Sequence, residues 1–212
     1  MLISRAPAVL AVLMLAALLA WLLPFRHPAP APPEAVPTGG DFTLHSAQGP
    51  VRLSDFRGKV VLLYFGYAAC PDICPTNLAM LALALRTLSD TERAAVQTLF
   101  VSVDPERDDP ERLRQYVGYF HPEILGLTGT PRHIAAVAAR YGVAYRRAPE
   151  ESALGYLVDH SAYTYLIDRQ GRLRETLDHA TASERIVKRV RHYLAEAVPT
   201  DAGAAPDATI PR

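Results

Sequence analysis

The chain has 212 residues, half of them hydrophobic, and 22 Lys and Arg balance 22 Asp and Glu for a formal net charge of zero. That suits one domain of ordinary size plus extensions. It excludes a disordered chain, and no basic excess points to nucleic acid.

From Ala6 to Phe25 there is no charged residue. Twenty residues at helical rise span about 30 Å, the thickness of a bilayer core. Arg5 precedes the run, and Trp21 sits near its far end, where an interfacial aromatic is favoured. The run exceeds the usual signal-peptide core and no small-x-small cleavage site follows it. Residues 1–25 are therefore expected to be an uncleaved membrane anchor in preference to a signal peptide, with the bulk of the chain exported. No cysteine follows the run, so a lipoprotein is not expected. Residues 26–40 are a Pro-rich linker; six prolines between Pro24 and Pro37 make it a stiff, extended spacer. A globular domain is expected over 41–196 and a disordered tail over 197–212, where apolar content is low.

Within the domain, DFTLHSAQGPVRLSDF reads as two short strands around a turn at Gln48–Gly49–Pro50. Lys59 to Tyr67, an almost unbroken β-branched and aromatic run, suits a strand buried on both faces. A helix from near Cys74 to Asp90 follows, with Pro75 in its first turn. Gln97 to Pro105 is a second buried strand. Asp108 or Asp109 before Pro110 signals a helix cap, so a helix is expected over 110–120. A short strand over 124–127 and a helix over 131–141 come next, the helix ended by Gly142. Val143 to Arg147 reads as a strand and APEESALG as a loop. Gly155 to Asp168 alternates as one strand, and DRQG turns it into a second strand over 172–177. A last helix covers about 183–196. Alternating strands and helices give an α/β domain with a central sheet flanked by helices. With the cysteines at a strand–helix junction, the order is that of a thioredoxin-like fold with an N-terminal β-hairpin and an inserted hairpin. Pattern alone leaves other α/β sandwiches open.

Both cysteines of the chain, Cys70 and Cys74, lie in GYAACPDICPTN, each followed by a proline. A disulfide at this spacing closes a tiny ring and constrains the unfolded chain little, so it is poor reinforcement. The loop between a buried strand and a helix N-terminus is where ligand sites gather in open α/β sheets, and the helix dipole there favours thiolate. A thiolate is both nucleophile and metal ligand. A dithiol oxidoreductase is usually signalled by C-x-x-C; the wider C-x-x-x-C leaves room for an ion between the sulfurs. Two thiolates select soft ions such as Cu(I), or Zn. A histidine could supply a third donor. His27, His45, His121, His133, His179 and His192 sit where solvated or capping roles are expected; His160 lies in or beside a strand. Spacing cannot bring it to Cys70. Read from residues alone, the site is a soft-metal dithiol or redox dithiol with an unidentified third partner.

Three segments together resemble the Sco family, also called SenC, of copper-binding proteins of cytochrome c oxidase assembly. They are Gly66–Tyr67 with Cys70-Pro71-Asp72-Ile73-Cys74-Pro75; Ser102-Val103-Asp104-Pro105-Glu106-Arg107-Asp108; and Asp159-His160-Ser161 with Tyr165-Leu166-Ile167-Asp168. The likeness spans about residues 42–195. It implies a thioredoxin-like fold in which Cys70, Cys74 and His160 bind one copper ion, as Cu(I) or Cu(II). The implied role is delivering copper to the dinuclear site of oxidase subunit II. The alternative is a thiol–disulfide reductase that keeps that site's cysteines, or other exported thiols, reduced, with Cys70 and Cys74 as its catalytic pair. Expected partners are subunit II, other copper-assembly or thiol-redox proteins, and the membrane, with no nucleic acid. One departure is Ala68-Ala69, where the family often carries a polar pair; it bears on affinity or redox tuning more than on binding. Asp72 and Asp159 flank ligands and could orient them or simply be a helix-end and a surface carboxylate. Asp104, Glu106 and Arg107 could shape a loop or meet a partner. A peroxidase would want Thr or Ser three residues before its cysteine, where Tyr67 stands. The short N-terminus, without an Arg/Ser-rich presequence, points to a single pass in a bacterial inner membrane with the domain in the periplasm.

Overall fold

The computed structural model describes residues 37–152 and 155–196, with Met14, the side chains of 149–152 excepted. The expected anchor (Met14 apart), the linker before residue 37 and the tail lie outside the described residues. Among the described residues no helix is long and apolar enough to cross a membrane.

The elements run β1 (Thr43–Ser46), β2 (Gly49–Arg52), a 3-10 turn (Leu53–Phe56), β3 (Val60–Gly66), α1 (Ile73–Thr87), α2 (Asp90–Ala94), β4 (Val96–Ser102) and α3 (Pro110–Phe120). Then come β5 (Ile124–Leu127), α4 (Pro131–Arg140), β6 (Tyr145–Ser152), β7 (Gly155–His160), β8 (Thr164–Ile167), β9 (Leu173–Leu177) and α5 (Ser183–Ala195). A five-stranded sheet in the order β5-β4-β3-β8-β9 forms the centre. β3 pairs parallel with β4 and antiparallel with β8, so the sheet is mixed. The fold is α/β and thioredoxin-like. Every residue of β3 is buried, as its unbroken apolar run predicts. Tyr64 and Gly66 point to the face covered by α1, while Phe65 packs edge-on against Tyr165 on the other.

Helix ends follow local chemistry. The Asp109 side chain accepts from the Arg112 amide and Pro110 opens α3; Thr130 and Pro131 do the same for α4. Helix α2 escapes the sequence reading: Ser89 and Glu92 form a capping box over a single turn, too short to show periodicity.

Three expectations need correction. The first hairpin turns at Ala47–Gln48, and Gly49 and Pro50 already pair across to Ser46 and His45. Residues 53–56 are a 3-10 turn and not strand, held by the Arg52 amide donating to Asp55 at 2.8 Å. The segment from Gly155 to Asp168 is two strands in different sheets, not one. β7 pairs only with β6, as a separate two-stranded sheet, and much of the expected APEESALG loop is β6. The break falls at Ser161, whose amide donates to Ala144 O and whose hydroxyl accepts from Ala144 N. Apolar alternation continues on both sides of it, so nothing in the pattern announces the corner.

Candidate metal centre

The parallel ladder carries the chain to the site. Gly66 ends β3, and its carbonyl accepts from Val103 N at 2.8 Å. A side chain at 66 would collide: a Cβ there would lie 2.6 Å from Cys74 Sγ and 2.9 Å from the Phe100 ring. Glycine at this position lets α1 set a sulfur against the strand backbone. The next residues curl into a turn closed by Cys70 N donating to Tyr67 O. Asp108, fully buried, holds that turn from outside, accepting from Ala68 N at 2.9 Å and Ser102 Oγ at 2.7 Å. Burial raises its pKa, against hydrogen bonds from Ser102 and Ala68 that lower it. Helix α1 then starts at Ile73, with Cys74 and Pro75 in its first turn and Asp72 at the N-cap position. Both cysteines are buried free thiols.

His160 arrives from the far end of β7. Its Nε2 lies 3.3 Å from Cys74 Sγ, and its Nδ1 lies 3.0 Å from Ser161 O. A carbonyl can only accept, so Nδ1 carries the proton and Nε2 presents its lone pair to the sulfur. The rings of Tyr67 and Tyr64 stand edge-on to the imidazole, with centroids 5.7 and 6.4 Å away. The Tyr64 hydroxyl also points at Cys74 Sγ, at 3.8 Å. One donor atom from each of Cys70, Cys74 and His160 lies within 4.8 Å of the others. The sequence could nominate these three residues; only the fold brings them together. Their outer side opens on a depression lined by Tyr67, Cys70, Pro71, Asp159 and His160, among others.

The two sulfurs are electrostatically unequal. The Cys70 thiol is held down to about 4, chiefly by a hydrogen bond from Cys74, against burial, with further help from the amides of Asp72 and Cys74. Burial pushes Cys74 far up, reinforced by its hydrogen bond to Cys70. Between the two, the thiolate is favoured on Cys70 and the proton on the more deeply buried Cys74, until a metal ion displaces that proton. Two anionic sulfurs and a neutral imidazole are a donor set for a soft ion, Cu(I) above all. Structural zinc would want a fourth protein ligand, and among the described residues the cluster has three members.

The remaining histidines stay away from this cluster among the described residues. The buried His121 accepts from Glu123 N through Nδ1, and burial lowers its pKa. His45, His133, His179 and His192 are exposed, and His27 lies outside the described residues. Asp72 makes no side-chain capping bond, and Asp159 pairs with Arg146 at 3.2 Å on the surface. Ala68 and Ala69 pack half-buried against the core. Three supports were not legible in advance: Tyr64, Asn77 and Asp108. Asn77 is buried one turn beyond Cys74, donating to Thr164 Oγ1 and accepting from Ala180 N. Of these only Asp108 leaves a signal. In DDP one aspartate caps the helix, which frees the other for a second task.

A family model described as SCO1/SenC matches residues 30–195. The protein described as Protein SCO2 homolog, mitochondrial, of Bos taurus is 43% identical over 158 residues, 74% of this chain and 59% of that protein. Protein SCO1, mitochondrial, of Saccharomyces cerevisiae is 39% identical over 162 residues, 74% of this chain and 55% of that protein. The match thus spans well under two thirds of these relatives' length. Among solved structures, Bradyrhizobium japonicum ScoI with copper bound superimposes with a TM-score of 0.68 at 36% identity, over 74% of this chain and 99% of that one. Yeast Sco1 with copper bound also gives 0.68 at 36%, over 76% and 91%. With the family's model matched from linker to last helix, this chain belongs to the SCO1/SenC family.

Proposed function

We propose that the protein is a membrane-tethered copper carrier. Cys70 Sγ, Cys74 Sγ and His160 Nε2 hold one copper ion as cargo, for delivery to the dinuclear copper site of cytochrome c oxidase subunit II. The observation that carries this reading is the convergence of three soft-metal donor atoms, from two distant segments, within 4.8 Å. The copper-bound relatives support the choice of ion. The chemistry suits transfer. Two thiolates and one imidazole serve either oxidation state, and a three-donor shell leaves a direction from which an acceptor's ligand can approach. Nδ1–H donating to Ser161 O fixes the imidazole with its lone pair inward. The anchor over 1–25 and the Pro-rich linker would hold the domain at the outer face of a bacterial inner membrane, in the periplasm, within reach of an oxidase.

The test is copper titration of the reduced full chain, wild type beside His160→Ala. Wild type is expected to take up one copper per chain with sulfur-to-copper charge transfer in the Cu(II) form. His160→Ala removes a ligand itself, so it is expected to lose at least the about 10–100-fold that removing a ligand's hydrogen-bond partner costs, with an altered spectrum. Undiminished binding by the variant would remove His160 from the site.

A second reading is favoured by the unequal sulfurs. As a reductase, the Cys70 thiolate would attack a partner's disulfide, releasing one partner thiolate and forming a mixed disulfide. Cys74 would then displace the second partner sulfur as thiolate, leaving a Cys70–Cys74 disulfide. Reduction of a model disulfide by His160→Ala at the wild-type rate would favour that role.

A further inference from the structure

The strand that carries His160 is not part of the central sheet. β6 and β7 pair only with each other, and an isolated two-stranded ribbon is marginal in water. Something must fix its angle to the body. At its root, Ser161 N donates to Ala144 O, which pins one end but leaves a hinge. Beside the buried Val158, a polar attachment gathers around Tyr156, four residues before His160. Its hydroxyl donates to buried Asp104 Oδ1 at 2.6 Å. The Arg107 guanidinium lies 3.7 Å from its ring centroid and that of Arg147 lies 4.0 Å from it. Arg107 is itself bound to Asp104 and lies over the Tyr67 ring at 5.6 Å; Arg147 is bound to Glu106. The Val158 amide donates to Tyr67 Oη at 3.2 Å. Among the described residues, two carboxylates and two guanidiniums gather around one phenol, which joins the ribbon to the segment that follows β4.

We infer that this clasp, centred on Tyr156 and Arg107, positions the His160 imidazole over the dithiol, so that loosening it withdraws the third donor while both cysteines stay in place. The inference rests on the three-donor reading above. It assigns Asp104, Glu106 and Arg107 to a positioning role within the chain, where the sequence left loop-shaping and partner contact open. The clasp acts by angle. Tyr156 and His160 lie on one ribbon, so a small rotation at Tyr156 about the Ala144–Ser161 root is carried to the imidazole. Arginine suits the task because a planar guanidinium can bind a carboxylate at its edge and stack on rings with its faces.

The experiment uses the full chain, with Tyr156→Leu and Arg107→Lys as test variants and Tyr156→Phe as the conservative one. In the metal-free protein, amides of β7 are expected to exchange with solvent at least tenfold faster in Tyr156→Leu, and less so in Tyr156→Phe, which keeps its ring between the arginines. Copper affinity is expected to fall about 10–100-fold in Tyr156→Leu, with weaker nitrogen hyperfine coupling from the imidazole. Adding Tyr156→Leu to His160→Ala should cost nothing further, because the clasp acts only through that ligand. Val117→Ala, buried in α3 away from the ribbon, supplies a variant of lowered stability whose affinity should match wild type. Unchanged β7 protection in Tyr156→Leu overturns the proposal, as do affinity losses that add to those of His160→Ala. If wild type and His160→Ala bind copper alike, the three-donor reading fails instead, and the exchange result alone decides whether Tyr156 holds the ribbon.

Discussion

Among single residues, Cys70 departs from ordinary behaviour in the direction that makes a thiol reactive. Its thiol sits at about 4 where the ordinary value is 9.0, because Cys74 donates to it and two helix-end amides add to the effect. The thiolate is the reactive form, and it is present at every pH above that value. In the metal-free reduced chain, alkylation of Cys70 by iodoacetamide is therefore expected to be nearly independent of pH between about 5 and 8. In the denatured chain the same rate should rise about tenfold per pH unit over that range. Mass spectrometry should find Cys74 protected, since burial keeps its proton on. A native rate that climbs like the denatured one would show that the pair does not share its proton in this way. The cysteines were conspicuous in the sequence as the chain's only two. Their inequality was not, because it arises from depth: one sulfur lies in the first helical turn against β3, the other on the loop that rims the depression.

At the scale of elements, the site depends on how closely α1 approaches β3. That approach passes through Gly66, where a methyl group would lie 2.6 Å from Cys74 Sγ and 2.9 Å from Phe100. Gly66→Ala is expected to lose about 1–3 kcal/mol in urea unfolding, the usual cost of overpacking a filled core. It should also weaken metal binding, because the sulfur is the nearest atom that can yield. A variant with wild-type stability and affinity would mean that the helix re-seats freely. The element boundaries show where sequence reading works. β3, β4, α3, α4 and α5 were legible because each has a long apolar period or a capping residue at a set offset. β6 and β7 were not. Their register slips between Arg147 and Glu151, and their pairing is with each other, so strand identity rested on partners that local pattern does not name.

Over the whole molecule, one buried carboxylate ties stability to acid. Asp168 is 2% exposed at the β8–β9 turn. Burial alone would raise its pKa, but the Arg172 amide and the Arg174 and Arg172 side chains outweigh it and hold the carboxyl below 3.8. A depressed acid contributes stability that is present above its unfolded pKa and lost as pH falls through its folded one. Both arginines are partly exposed, so solvent screens part of the attraction. Asp168→Ala is expected to cost about 2 kcal/mol at pH 7, with the difference from wild type shrinking toward pH 2. Urea unfolding at the two pH values measures it; an equal loss at both would assign the effect to packing and not to charge. By itself the sequence determined the α/β class, the central buried strands and the placement of a dithiol at a strand–helix junction. These follow from periods and caps that act over a few residues. Only the tertiary structure decided that His160, 86 residues from Cys74, turns its lone pair to that sulfur at 3.3 Å. The physical reason is that bringing donor atoms together is a matter of ångströms, and no local propensity encodes the angle between elements that meet only after folding.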